Sequence, residues 1–120
     1  MSTFTVNTFA PLLMAKHLAP LLQKGTGLVG SQQFKEDPKK SHSSVIVNMS
    51  ARVGSISDNR LGGWYSYRMS KSGMNMATKC LSLELGRGKN RVICLSLHPG
   101  TTDTDLSKPY QNFFLSNIVR

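Results

Sequence analysis

No stretch of this 120-residue chain stays apolar for the roughly 20 residues that a membrane-spanning helix needs. A basic-then-apolar leader is also missing, because Lys16 and Lys24 follow the first apolar residues instead of preceding them. Together these absences set a cytoplasmic expectation. Cysteine is scarce. Cys80 and Cys94 lie far apart, with no Cys-x-x-Cys and no neighbouring histidine pair, so both are expected to be reduced, buried thiols and no metal site is expected. Acidic residues are few: six Asp and Glu against fifteen Lys and Arg leave a formal charge of +9. The basic residues are spread out, with small clusters at Lys35, Lys39, Lys40 and at Arg87, Lys89, Arg91. Aromatics do not interleave with them, and no helix-turn-helix or finger spacing occurs, which argues against a specific nucleic-acid surface. Weak attraction to polyanions is what the charge implies. It also suits a chain whose acidic complement lies in another part of a larger molecule.

What is present reads as helix, strand, helix, strand. Phe4, Phe9, Leu12, Leu13, Leu18, Leu21 and Leu22 recur at near-helical spacing and predict a helix over 2–23, with Pro11 expected to strain or kink it. Asn7, one turn before that proline, is an amide among apolar neighbours that needs partners if buried. Gly25-Thr26-Gly27-Leu28-Val29-Gly30 has the spacing of a dinucleotide fingerprint. It follows a helix, however, where the fingerprint must follow a strand and open a helix. Gly25 reads better as a helix stop, and the polar run to Ser43, broken by Pro38, as a solvated connection over 25–43.

Ser44-Val45-Ile46-Val47-Asn48-Met49 is a β-branched run without polar alternation, as a strand buried on both faces of a parallel sheet would be. It ends in a small, hydroxyl-rich loop, Ser50 to Ser55. A helical pattern follows from about Trp64 to Gly86, with Met69, Ala77, Leu81 and Leu85 as its apolar stripe and Gly86 and Gly88 as stops. Arg91 to Leu97 is a second buried-type strand. Strand, crossover helix and strand make one right-handed βαβ unit. Ligands in open α/β sheets sit outside the carboxyl ends of the strands. Ser50, Tyr67 and Thr104 all fall at that end.

The chemistry-bearing pair is Tyr67 and Lys71. On a helix, residues four apart share a face, so a phenol and an ammonium address one small volume. A phenol is a poor acid or base near neutrality, and a nearby cation stabilises its ionised form. The pair can therefore serve general acid/base catalysis. A surface lysine lying along a half-buried tyrosine has the same spacing.

Taken in order, these residues resemble the short-chain dehydrogenase/reductase family over roughly 3–109. The resemblance rests on Val6-Asn7 in a helix, Val45 to Asn48 as a strand, the hydroxyl-rich loop, Tyr67 to Lys71 opening a helix, and Pro99-Gly100 with Thr104. Met49 to Ile56, Gly62 to Lys71 and Leu97-His98-Pro99-Gly100 are most similar to the C-factor and sniffer-type carbonyl-reductase branch. The resemblance implies an α/β fold: part of a Rossmann-type, doubly wound parallel sheet without the N-terminal cofactor-binding half, as a single domain over 1–120 whose tail, 110–120, diverges. It implies NAD(P)-dependent carbonyl reduction or alcohol oxidation. Tyr67 would exchange the proton, Lys71 would stabilise the phenolate and hold the nicotinamide ribose, and Asn7 would join a water-mediated proton relay. Pro99, Gly100, Thr102 and Thr104 would border the cofactor, NADP or NAD, whose selecting residue is expected before Met1.

The sequence departs from the family pattern at one site position. Members commonly have Ser-Ser where this chain has Ser50-Ala51, and the second serine is the catalytic one. Ser50 is the candidate here if the strand end twists, and Ser55 is a further one. With the cofactor-binding half expected upstream, the 120-residue chain by itself is expected to be inactive and to expose apolar faces. In that alternative it keeps only a dimerisation surface on helices 2–23 and 64–86. The expected partners are a small carbonyl or alcohol substrate and a second copy of the chain, as a homodimer or tetramer.

Overall fold

The computed structural model describes residues 2–24, 44–88, 90–100 and 108. The connection over 25–43, the Gly25 stop and the tail 110–120 lie outside the described residues. The element order is α1 (Ser2–Phe4), a π-helical turn (Thr5–Phe9), α2 (Ala10–Leu22), β1 (Ser44–Met49), a 3-10 turn (Arg52–Gly54), α3 (Tyr65–Leu85) and β2 (Val92–Leu97).

The N-terminal helix is continuous but changes pitch ahead of its proline. Pro11 has no N–H to give the Asn7 carbonyl, and its ring crowds that oxygen. The backbone widens there, and the Ala10 N–H bonds to the Thr5 carbonyl five residues back. The expected strain at Pro11 thus takes the form of a π turn, and Asn7 lies within it. At the far end the Gln23 N–H reaches the Ala19 carbonyl at 2.9 Å.

Strands β1 and β2 pair in parallel, with Ser44 opposite Val92 and Met49 opposite Leu97. The Ser50 N–H continues the ladder to the Leu97 carbonyl at 2.7 Å. The crossover between the strands is α3, so the βαβ unit expected from the sequence is present. Ala15 of α2, Leu81 of α3, and Val92 and Cys94 of β2 form the buried core, with Leu22, Ile46 and Leu85 packed against it.

Three expectations need correction. The strands are not buried on both faces: Val45, Val47 and Met49 of β1 and Leu95 and Leu97 of β2 stay about half exposed. Among the described residues α2 and α3 cover one face of the sheet, and side chains alternate across a strand, so every second residue of β1 points away from them. The apolar stripe of α3 holds at Leu81 and Leu85 but fails at Met69. Met69 is 57% exposed, and the buried face carries Ser70, Lys71, Met74, Thr78 and Leu81. Polar residues can occupy that face because their hydrogen bonds are met: the Asn48 amide donates to the Thr78 hydroxyl at 2.8 Å, which donates to the Met74 carbonyl at 2.9 Å. Finally, Cys94 is buried as expected but Cys80 is exposed.

The tightest seam joins the 3-10 turn to α3. A Cβ built on Gly54 would lie 2.8 Å from the Lys71 Cβ and 2.9 Å from the Lys71 backbone carbon. Only a glycine lets these backbones approach so closely. Gly54→Ala is expected to lower stability by about 1–3 kcal/mol, the usual range for overpacking. A urea midpoint unchanged from the parent chain would contradict this contact.

Candidate active site

The site is built where α3 starts, beside the carboxyl ends of both strands. Tyr67 is half buried and Lys71 is buried, one turn further along the same helix. The Lys71 Nζ lies 5.8 Å from the centre of the Tyr67 ring. It donates to the carbonyl of Met49, the last residue of β1, at 2.7 Å. The lysine therefore ties the helix to the strand end while sitting beside the tyrosine. Burial holds its pKa below the ordinary value of 10.5.

Asn7 reaches the same turn of α3 from the π turn. Its Nδ2 donates to the Ser70 hydroxyl at 3.1 Å, and that hydroxyl donates to the Tyr67 carbonyl at 2.8 Å. Next to it the Thr8 hydroxyl donates to the Ser70 carbonyl at 2.8 Å. These bonds fix the π turn against α3 directly between Tyr67 and Lys71. Gly73 permits the approach, since a Cβ there would meet the Thr8 Cγ2 at 3.1 Å.

Ser50 points elsewhere. It is buried, and its hydroxyl donates to Asn75 Oδ1 at 2.6 Å, one turn beyond Lys71. The Asn75 amide in turn makes a long bond to the Gly54 carbonyl at 3.4 Å, which also accepts from the Ser72 hydroxyl at 2.8 Å. Ser50, Asn75, Ser72 and Gly54 thus form a polar seam under the helix. Ser55 is half buried in the following loop, where its oxygen accepts the Asp58 N–H at 3.3 Å. In the same loop Arg52 pairs with Asp58 at 2.5 Å and holds that carboxyl below the usual carboxylate range.

The approach to α3 is left-handed over Gly62, Gly63 and Trp64, with φ of 66°, 69° and 50°. Glycine adopts this region freely, whereas a tryptophan there costs on the order of 1–2 kcal/mol. Neither the Trp64 conformation nor its neighbour Arg68 was legible in the sequence. The Arg68 Nε donates to the Gly63 and Gly62 carbonyls at 3.0 and 3.2 Å, and its Nη1 donates to the Val53 carbonyl at 3.3 Å. An open cavity of about 480 Å³ lies on this flank, lined by Phe4, Val53, Ile56, Tyr65, Arg68 and Met69 among others, but not by Tyr67 or Lys71.

Pro99 and Gly100 are exposed just past the end of β2. Gly100 has φ of 84°, and no atom of the described residues lies within 4 Å of where its Cβ would be. Thr102 and Thr104 lie outside the described residues. Among the described residues no group of three or more His, Cys, Asp or Glu side chains could hold a metal ion. No described helix is long and apolar enough to cross a membrane. Of the described residues, the Tyr67 hydroxyl and the Lys71 ammonium are the groups that would hold the ribose end of a dinucleotide.

Comparison with known proteins shows the family. The profile of the short chain dehydrogenase family matches residues 1–113. The C-signal protein of Myxococcus xanthus is 34% identical over 107 residues, covering 89% of this chain and 54% of that protein. The structure of the carbonyl reductase Sniffer of D. melanogaster superposes with a TM-score of 0.69 at 40% identity, over 86% of this chain and 39% of that one. An NADPH-bound carbonyl reductase from chicken fatty liver superposes with a TM-score of 0.59 at 32% identity, over 85% of this chain and 39% of that one. The chain therefore spans about half the length of the first of these relatives and about two fifths of the other two.

The buried lysine makes a pH prediction. Between its depressed folded pKa and 10.5 the unfolded chain holds a proton that folded Lys71 has released, so stability gains a contribution that rises with pH. Cys94, which burial raises above 9.0, acts in the opposite sense. Lys71→Met leaves Cys94 in place and isolates the lysine. Denaturant midpoints measured as pH approaches 10.5 should rise more, or fall less, for the parent chain than for Lys71→Met. Parallel curves would contradict the burial effect.

Proposed function

Because this chain belongs to the short-chain dehydrogenase family, we propose that it carries the acid/base half of an NAD(P)-dependent site that reduces a carbonyl or oxidises an alcohol. The observation that carries the proposal is the Tyr67–Lys71 pair, one helical turn apart, with the ammonium 5.8 Å from the ring, at the carboxyl end of the parallel strands. Tyr67 gives its hydroxyl proton to the carbonyl oxygen during reduction and takes it back during oxidation. Lys71 favours the phenolate left behind, and its N–H groups beyond the Met49 bond are available to the ribose diol. Asn7 holds the turn between the two and belongs to the proton relay. Ser50 supports the site through Asn75. Pro99 and Gly100, with Thr102 and Thr104, border the cofactor. When bound, NADP or NAD supplies the hydride.

A second reading concerns the chain by itself. Among the described residues Val45, Val47, Met49, Leu95 and Leu97 form an apolar sheet face that is about half exposed, which favours a 120-residue chain that is inactive alone. Such a chain still presents Phe9, Leu13 and Met14 on its N-terminal helix and Tyr65, Met69 and Met76 on α3, all exposed, as a surface for a second copy. That reading expects no saturable NADPH or NADH binding, followed by nucleotide fluorescence, and a dimer mass in sedimentation. Micromolar binding would rule it out.

For the catalytic reading, the test is NAD(P)H oxidation against a panel of aldehydes and ketones. Tyr67→Phe should lower kcat by about a hundredfold or more, the usual range for losing a general acid. Cofactor affinity should stay within about threefold, because that change leaves Lys71 and the Gly100 backbone in place. A variant that kept most of its kcat would overturn Tyr67 as the proton donor.

A further inference from the structure

We propose that Arg68 is a positioning residue for the Tyr67–Lys71 pair: its guanidinium latches the left-handed turn Gly62-Gly63-Trp64 onto the loop after β1 and so fixes where α3 begins. The inference rests on the reading of Tyr67 as the acid/base group, but the latch itself can be tested without turnover.

Arg68 follows Tyr67 directly, so its side chain leaves the helix about 100° around the axis and leans back toward the helix N-terminus. That direction carries it to the residues that lead into α3. Its Nε is shared between the Gly62 and Gly63 carbonyls, at 3.2 and 3.0 Å. Its Nη1 donates to the Val53 carbonyl at 3.3 Å, and the guanidinium carbon lies 5.7 Å from the Trp64 ring centre. The Arg68 amide makes an early bond of α3, to the Trp64 carbonyl at 2.8 Å. One side chain therefore joins both glycine carbonyls, the tryptophan ring and the 3-10 turn.

Val53 is the informative partner. It sits in Arg52–Gly54, the turn whose Gly54 packs against Lys71. The latch thus ties the turn that touches Lys71 to the approach that places Tyr67. Trp64, at φ 50°, is not held by its own backbone preference, so the turn needs an external restraint. A planar fork with five donors can span these acceptors, whereas the compact ammonium of a lysine cannot. A long phenol side chain converts a small rotation of the first turn into a displacement of its hydroxyl, and about 1 Å there can cost a hundredfold in rate.

Trp64 is the chain's one tryptophan, so its emission reports on the latch directly. The test compares the 120-residue chain with Arg68→Lys and Arg68→Ala by tryptophan emission and amide hydrogen exchange. Both variants should change the Trp64 emission. They should also speed exchange at least tenfold at the amides of Gly62, which donates to Asn59 Oδ1 at 2.9 Å, and of residue 68, while residues 74–85 keep their parent rates. Guanidinium added to Arg68→Ala at about 50 mM should restore both signals. In the turnover assay kcat should fall about tenfold or more with cofactor KM unchanged, and should recover with guanidinium. Parent-like emission and exchange in both variants would overturn the latch, as would fast exchange at residues 62 and 68 in the parent chain or equal acceleration along all of α3. A parent chain without turnover would count against the catalytic reading alone, and the latch is then decided by emission and exchange.

Discussion

One partly buried hydrogen bond anchors the site: the Lys71 ammonium donating to the Met49 carbonyl at 2.7 Å. It joins the first turns of α3 to the end of β1, at the same lysine against which Gly54 lets the 3-10 turn pack closely. An ammonium shielded from water is costly, and a neutral carbonyl compensates it only in part. The depressed pKa of Lys71 is the sign of that cost. The same burial leaves an ammonium beside the Tyr67 ring without full hydration, where its influence on a phenolate is greater than in water.

The other contacts around the site keep this bond in register. The Ser50 amide extends the ladder to Leu97, which sets the height of the strand end. Its hydroxyl, with Asn75, Ser72 and the Gly54 carbonyl, closes the seam beneath the helix. From the other side the π turn presses Asn7 and Thr8 onto Ser70, between tyrosine and lysine. Pro11 makes that possible, since the widened turn before it carries both side chains. Backbone irregularity is concentrated here, in the π turn and in the left-handed Gly62-Gly63-Trp64, while the rest of α3 is regular.

Much of this was legible in the sequence because it depends on local spacing. The i, i+4 relation of Tyr67 and Lys71, the β-branched run 44–49 and the glycine stop at Gly86 each follow from chain-local rules. The partner of Ser50 was not legible, because Asn75 lies 25 residues away and its choice depends on how the strand end meets the helix. The polar share of the buried face of α3 was missed for a similar reason. Ser70, Lys71 and Thr78 look like surface residues until their acceptors, supplied by other elements or by the preceding turn, are known. Arg68 gave no signal at all, since its acceptors are backbone carbonyls of the positive-φ turn and of the 3-10 turn. The exposed sheet face follows from the packing of both helices against one side of two strands.

The central claim is that Lys71 is a buried ammonium bound to the Met49 carbonyl, and nitrogen-detected NMR of the lysine side chains tests it most directly. Exposed lysine ammonium protons exchange with water too fast to give a sharp proton–nitrogen correlation near neutral pH, whereas a buried, hydrogen-bonded one is retained. The account predicts one slowly exchanging ammonium signal, absent from Lys71→Met and coupled across the hydrogen bond to the Met49 carbonyl carbon. A spectrum in which no ammonium signal is lost on that substitution, or in which the Lys71 signal exchanges as fast as those of the exposed lysines, would contradict it.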